Sequence, residues 1–247
     1  MPLISNEFVL NVPKVDLISP TSWGTREAVK GQIANIVKKY GTYLKWSAKN
    51  SRIPVEVLAS FIAVESGGKA DAGGSGSVTQ GLMQWNRDYA DEFLEAELKL
   101  GRMTPEEKDK LASFGIKFDA NGQTRTITQA DQIKPELNIV IGSILLGQYI
   151  DSMFDGGKTT KDTNGKKIDW AKDKNGEMRL DKIIAVYNAG AYGDAGKKAR
   201  TGNYPTALSF ANDINSTTSS YIKKMLGKNG ALDISTSDLK DDFSKLA

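Results

Sequence analysis

The sequence predicts a mainly α-helical protein of the α+β class, on three observations. Apolar residues recur at helical spacing over much of the chain. Two segments are apolar on nearly every face. Asp-x-Asn-Gly turns flanked by short polar or alternating runs interrupt the helices and predict small β-hairpins. No strand–helix–strand alternation supports a parallel sheet. The 247 residues suffice for one sizeable core. The chain divides into an extension over 1–24, a domain over 25–226 and a tail over 227–247.

The extension holds three prolines and no steady period, and is expected to be an extended arm. From Thr25 to Asn50, Val29, Ile33, Ile36, Val37, Tyr40, Tyr43 and Leu44 mark one face of an amphipathic helix, with its lysines on the solvated face. Pro54 opens the next helix as a first-turn proline, and that helix ends at Val64-Glu65-Ser66-Gly67-Gly68. A glycine-rich loop and Gly81-Leu82-Met83-Gln84 follow, then a charged helix to Leu100. Thr104-Pro105-Glu106-Glu107 has the form of a capping box and predicts a helix ending near Phe114.

Asp119-Ala120-Asn121-Gly122, Asp162-Thr163-Asn164-Gly165 and Asp173-Lys174-Asn175-Gly176 are the hairpin signals. Strands are expected at Ile116–Phe118 and Thr124–Ile127. None of the three turns has the alternating acceptors and later glutamate of a calcium loop. Pro135 to Phe154 is the most apolar helix and belongs in the core. Asp181 to Val186 is a short helix leading into Tyr187-Asn188-Ala189-Gly190. Gly193 to Gly202, with Lys197, Lys198 and Arg200, reads as a basic loop before a last helix from about Pro205 to Leu226. In the tail, Leu239, Phe243 and Leu246 fall on one side of a weak amphipathic segment, to dock on the domain or on a partner.

Composition removes several chemistries. With no cysteine and no histidine there is no disulfide, no cysteine nucleophile, no Ser-His-Asp triad and no zinc site of the usual kind. No cofactor or metal is expected. The net charge of +3 makes no case for nucleic acid. Residues 1–20 lack the basic start and apolar run of a secretory signal, and no apolar stretch reaches the roughly 20 residues that span a bilayer.

The chemical candidate is Glu65. Phe61, Ile62 and Val64 on its helix would desolvate the carboxyl, disfavour its charged form and raise its pKa towards working pH, as an acid catalyst needs. Taken alone, the stretch reads more readily as a solvated glutamate at a helix end. A second carboxylate, which most glycosidases require, is not evident: Asp71, Asp88 and Asp91 sit in polar, glycine-rich or charged surroundings.

Four segments in order resemble the soluble lytic transglycosylases, lysozyme-like enzymes that cut bacterial peptidoglycan. They are Glu65-Ser66, Gly81-Leu82-Met83-Gln84, Asn138-Ile139 with Gly142 and Tyr149, and Ala185-Val186-Tyr187-Asn188-Ala189-Gly190. The resemblance implies a two-lobed lysozyme-like domain over roughly 40–226, with Glu65 as the single acid/base. It implies that Ser66 and Gln84 help place the sugar or its leaving group, that Tyr187 and Asn188 line the cleft, and that Tyr221 lies close to the glutamate. Without it, Tyr187 and Tyr221 read as core aromatics, Asn188 as a turn residue and Gln84 as a structural amide. Thr217-Thr218 stands where the family's last motif usually has Glu-Thr, and the insertions at about 86–134 and 155–180 are long.

The implied reaction cleaves the MurNAc-β-1,4-GlcNAc bond. Glu65 protonates the glycosidic oxygen and then takes a proton from the muramoyl C6 hydroxyl, which closes onto C1 with the advantage of an intramolecular reaction. A hydrolytic muramidase on the same fold and a structural component of a virion or secretion apparatus are the alternatives. The expected partner is the peptidoglycan glycan strand, with a virion or secretion machine engaged through the terminal extensions. The expected setting is a phage virion, or a host cytoplasm with delivery to the periplasm and cell wall.

Overall fold

The computed structural model describes residues 17–51, 53–74, 76–154, 179–190, 192–202 and 204–246. Two of the three Asp-x-Asn-Gly turns, at 162–165 and 173–176, lie outside them. Twelve α-helices and no strand are found among the described residues: α1 Arg26–Ser51, α2 Val55–Ser66, α3 Ala90–Lys99, α4 Pro105–Ser113, α5 Gln129–Gln132, α6 Pro135–Phe154, α7 Leu180–Ala189, α8 Asp194–Thr201, α9 Ala207–Asp213, α10 Ser216–Leu226, α11 Ala231–Ser237 and α12 Lys240–Ser244. The class is mainly helical, as the periodicity predicts. No described helix is long and apolar enough to cross a membrane.

Two apolar helices organise the core. On α2, Val57, Leu58, Ala59, Phe61, Ile62 and Ala63 are all buried, because the helix is enclosed by α1, α10 and α11. On α6, Leu137, Ile139, Val140, Ile141, Ile144, Leu145, Leu146 and Ile150 are buried beneath α1, α3, α4, α5 and α7. A helix apolar on every side has no solvent face to offer, so neighbours close around it. The long amphipathic α1 reaches both and joins them.

The ends of the helices follow local chemistry. Pro54 is the N-cap of α2, one place outside the helix, and leaves no N–H unsatisfied there. Gly67 closes α2 in the left-handed conformation at φ 66°. Thr104 and Glu107 form the capping box read from the sequence, with Thr104 N–H donating to Glu107 Oε2 at 2.8 Å.

Three expectations are corrected. The turn at 119–122 forms, with Asp119 N–H donating to Gln123 O at 2.8 Å, yet its flanks are not strands. The Asp119 carboxylate also accepts from the N–H groups of Asn121 and Gln123, satisfying locally the donors a strand partner would have taken. The basic segment after Gly193 is helical: Ala195 and Ala199, four apart, are buried on α8, which packs against α7. The last helix is two, α9 and α10, divided where Asn215 accepts from Thr218 N–H at 2.9 Å and starts α10 afresh.

The segment after Gly227 docks on the helical body. Leu232, Ile234, Leu239 and Phe243 are buried, and α11 packs on α1, α2 and α10. Arg26 at the start of α1 clamps it. The guanidinium donates to Asp233 at 2.9 Å, to Asn229 at 2.8 Å and to both oxygens of Asp238 at 2.9 and 2.6 Å. Gly41 on α1 leaves room for Leu246, whose Cδ2 would stand 2.8 Å from a Cβ there. Near the other end, Ser19 N–H and Lys228 N–H pair with Lys228 O and Leu17 O at 3.1 and 2.8 Å.

Candidate active site

Glu65 sits in the last turn of α2, and its surroundings follow from what α2 packs against. One helix turn before it, Phe61 is fully buried and lies 4.7 Å, centroid to centroid, from the ring of Tyr187 on α7. From α10, Tyr221 donates its O–H to Glu65 Oε1 at 2.5 Å, the short distance of a bond to a charged or strongly polar acceptor. Burial pushes the Glu65 carboxyl up to about 7 from its usual 4.5, and the Tyr221 hydrogen bond opposes that rise without cancelling it. No other described group is hydrogen-bonded to the carboxyl, so Oε2 has no partner among the described residues.

Both phenols stay protonated. Tyr187 and Tyr221 are held well above the usual tyrosine range, by burial first and then by the charge of Glu65. They are therefore donors throughout neutral pH. Tyr187 donates to Met83 O at 2.7 Å, and Tyr149 of α6 stands edge-on to it with centroids 6.0 Å apart. Tyr187 thus ties α7 to the 81–84 segment across the site.

That segment is held from beneath by Asn138 of α6, a residue fully excluded from solvent. Asn138 Oδ1 accepts from Met83 N–H at 2.8 Å, and its Nδ2 donates to Gln80 O and Gln132 O at 3.1 and 2.8 Å. Its main-chain oxygen accepts from Trp85 Nε1 at 3.0 Å. The glycines of the two motifs fit the same joint. Gly81 has φ 86°, and a Cβ there would meet Asn138 Nδ2 at 2.2 Å and Gln132 O at 2.3 Å. A Cβ on Gly142 would meet Met83 Sδ at 2.5 Å. Gly81-Leu82-Met83-Gln84 and Asn138 with Gly142 are therefore two halves of one packing contact.

The other expected residues are placed differently. Gln84, itself at φ 49°, donates its side-chain amide to Ala72 O at 2.9 Å and Gly81 O at 2.8 Å. Ser66 donates to Ile62 O at 3.0 Å and accepts from Gly68 N–H at 3.1 Å. Both shape the main chain beside Glu65. Asn188 is exposed at the end of α7, where its Oδ1 accepts from Thr218 Oγ1 at 3.0 Å. The structure thus brings Glu65, Tyr187 and Tyr221 into one cluster and ties Asn188 to α10 beside it.

Two positioning residues were not among the expected site residues. Thr218, 2% exposed, fixes the Asn188 amide. Buried Gln132 donates to Val78 O and Trp85 O, both at 2.9 Å. A polar residue just ahead of an apolar helix was the only available signal for Gln132.

Among the described residues no second carboxylate is hydrogen-bonded to Glu65. Asp71 and Asp88 are exposed, and Asp91 accepts from the neighbouring Glu92 N–H at 3.0 Å. Among the described residues no cluster of carboxylates could hold a metal ion. No protein-family model and no curated protein matches the chain. The chemistry of the site is therefore read from its own geometry and from the four short motifs.

Proposed function

We propose that the chain is a peptidoglycan lytic transglycosylase with a lysozyme-like catalytic domain, in which Glu65 is the only acid/base. The observation that carries the reading is the state of Glu65. It is a carboxyl raised to about 7 by burial, with one oxygen bonded to Tyr221 and the other without a hydrogen-bond partner among the described residues. A carboxylic acid in that state holds its proton near neutral pH and can pass it to a glycosidic oxygen.

In the first step the Glu65 proton goes to the bridging oxygen between N-acetylmuramic acid and N-acetylglucosamine, and the C1–O bond breaks. In the second, the Glu65 carboxylate accepts the proton of the muramoyl C6 hydroxyl as that oxygen bonds to C1. The product is a 1,6-anhydro end, no water is consumed, and Glu65 is protonated again. Tyr221 donates to Oε1 throughout and steadies the carboxylate formed between the steps. One carboxyl suffices for this reaction because the muramoyl C6 hydroxyl is an internal nucleophile, whereas hydrolysis would need a base or nucleophile opposite the acid.

The test is mass spectrometry of muropeptides released from purified peptidoglycan by the native chain and by Glu65→Gln. The proposal expects products one water lighter than muramidase products, absent with the variant. Reducing ends lost in the variant would make the chain a hydrolase. No release by the native chain would refute an enzymatic role and leave the structural-component reading.

A further inference from the structure

Beyond the carboxyl cluster, the turn between α7 and α8 carries an aromatic side chain that the acid/base chemistry does not use. The chain leaves α7 at Gly190 with φ 73°, and Gly193 N–H donates to Gly190 O at 3.3 Å before α8 begins. On this turn Tyr192 is 80% exposed, more than any other large hydrophobic side chain described. Its ring is not unsupported. The Arg200 guanidinium, from α8, stands 5.6 Å from the ring centroid. The helix that carries Arg200 is anchored, since Ala195 and Ala199 are buried and α8 packs on α7.

Arg200 differs from its basic neighbour. Lys198 is engaged by Asp213, donating to its main-chain oxygen at 2.5 Å and lying 3.4 Å from its carboxylate. Among the described residues Arg200 makes no ion pair, so its donors remain open to an acceptor beside the ring. Tyr192 follows Asn188 by four residues, which limits their separation to about 14 Å. Asn188 is in turn held by Thr218, three residues before the tyrosine bonded to Glu65.

We infer that Tyr192 and Arg200 form a glycan subsite on the turn that follows Tyr187 and Asn188, a reading that rests on the function proposed above. A β-linked pyranose keeps its hydroxyls near the ring plane, so its axial C–H bonds make an apolar, slightly positive face. That face complements the electron-rich face of a phenol ring. The open face of Tyr192 stacks on one sugar of the strand. The Arg200 donors take an acetamido or carboxyl oxygen of the same unit, a planar acceptor suited to the guanidinium fork.

The test is calorimetric binding of chitooligosaccharide, and of glycan strands freed of peptide, to the full chain carrying Glu65→Gln, which binds without turnover. Adding Tyr192→Ala is expected to weaken binding about tenfold, equivalent to about 1.4 kcal/mol. Tyr192→Phe, which keeps the ring face, should stay within about twofold. Because Tyr192 is a surface residue, unchanged thermal melting of the variants confirms that the fold is intact. Binding that Tyr192→Ala leaves unchanged overturns the subsite, even if muropeptide release upholds the reaction. Absence of any glycan binding overturns it as well, and would fit a platform for a protein partner. Tyr192-dependent binding by a native chain that releases no muropeptides would refute the catalytic reading and keep the subsite.

Discussion

Replacing Glu65 with Gln is expected to stabilise the protein at pH 8 and to change it little at pH 4. The carboxyl titrates near 7 in the folded chain against a usual 4.5, mainly because burial penalises its charged form. Between those values the folded chain keeps a proton that the unfolded chain has released. The group's contribution to stability is therefore full below about pH 4.5 and is lost as pH rises through 7. The loss is roughly 3 kcal/mol, from about 1.4 kcal/mol for each pH unit separating the two values. Glutamine has the same shape and no charge to bury, and its amide oxygen can accept from Tyr221. That bond is weaker than one to a carboxylate, so the net gain at pH 8 is about 2–3 kcal/mol. Urea denaturation of both proteins at pH 4 and pH 8, compared at equal slope, measures it. A difference that does not change with pH would refute the raised pKa of Glu65. So would a variant less stable than the native chain at pH 8. On the proposed function, that result is what a residue kept for chemistry at the expense of stability should give.

Three further outcomes follow from the same contacts. Tyr221→Phe removes the hydrogen bond that lowers the Glu65 pKa. The falling alkaline limb of kcat/KM, expected near pH 7 for the native chain, should move to higher pH while the rate drops about tenfold or more; a limb that stays in place would disconnect Tyr221 from the titration. Asn138→Ala strips three hydrogen bonds from a fully buried joint. It should cost about 3 kcal/mol in chemical denaturation and abolish muropeptide release by loosening residues 80–85, and retention of both would show the joint to be incidental. Phe243→Ala empties a buried site under α12. Its expected cost is about 3–5 kcal/mol, and a loss below about 1 kcal/mol would mean that the C-terminal segment is not part of the core.

The helices were legible because each is written in contiguous residues. The spacing of Val29, Ile33, Ile36, Val37 and Tyr40 gave α1, the uniform apolarity of 135–154 gave α6, and Thr104 with Glu107 gave the cap of α4. Misreadings arose where local signals were short or mixed. Glycines at 193, 196 and 202 suggested a loop, yet Ala195 and Ala199 dock on α7, and tertiary burial outweighed weak helix propensity. Asn-Gly at 121–122 made a turn, but with Asp119 bonding the adjacent N–H groups its flanks had no call for a ladder.

The sequence by itself determined the helical class, the lack of thiol and imidazole chemistry, and the place of a glutamate at the end of an apolar helix. Only the tertiary structure decided what surrounds that glutamate. Tyr221 lies 156 residues away in sequence and 2.5 Å away in space. Tyr187 reaches Met83 across 104 residues, and Asn138 reaches it across 55. Periodicity reports which face of a helix is apolar, but it carries no record of which distant side chain will close over that face. The raised pKa of Glu65 is a property of that enclosure. It exists only once α2, α7 and α10 have packed and water has been displaced from the carboxyl.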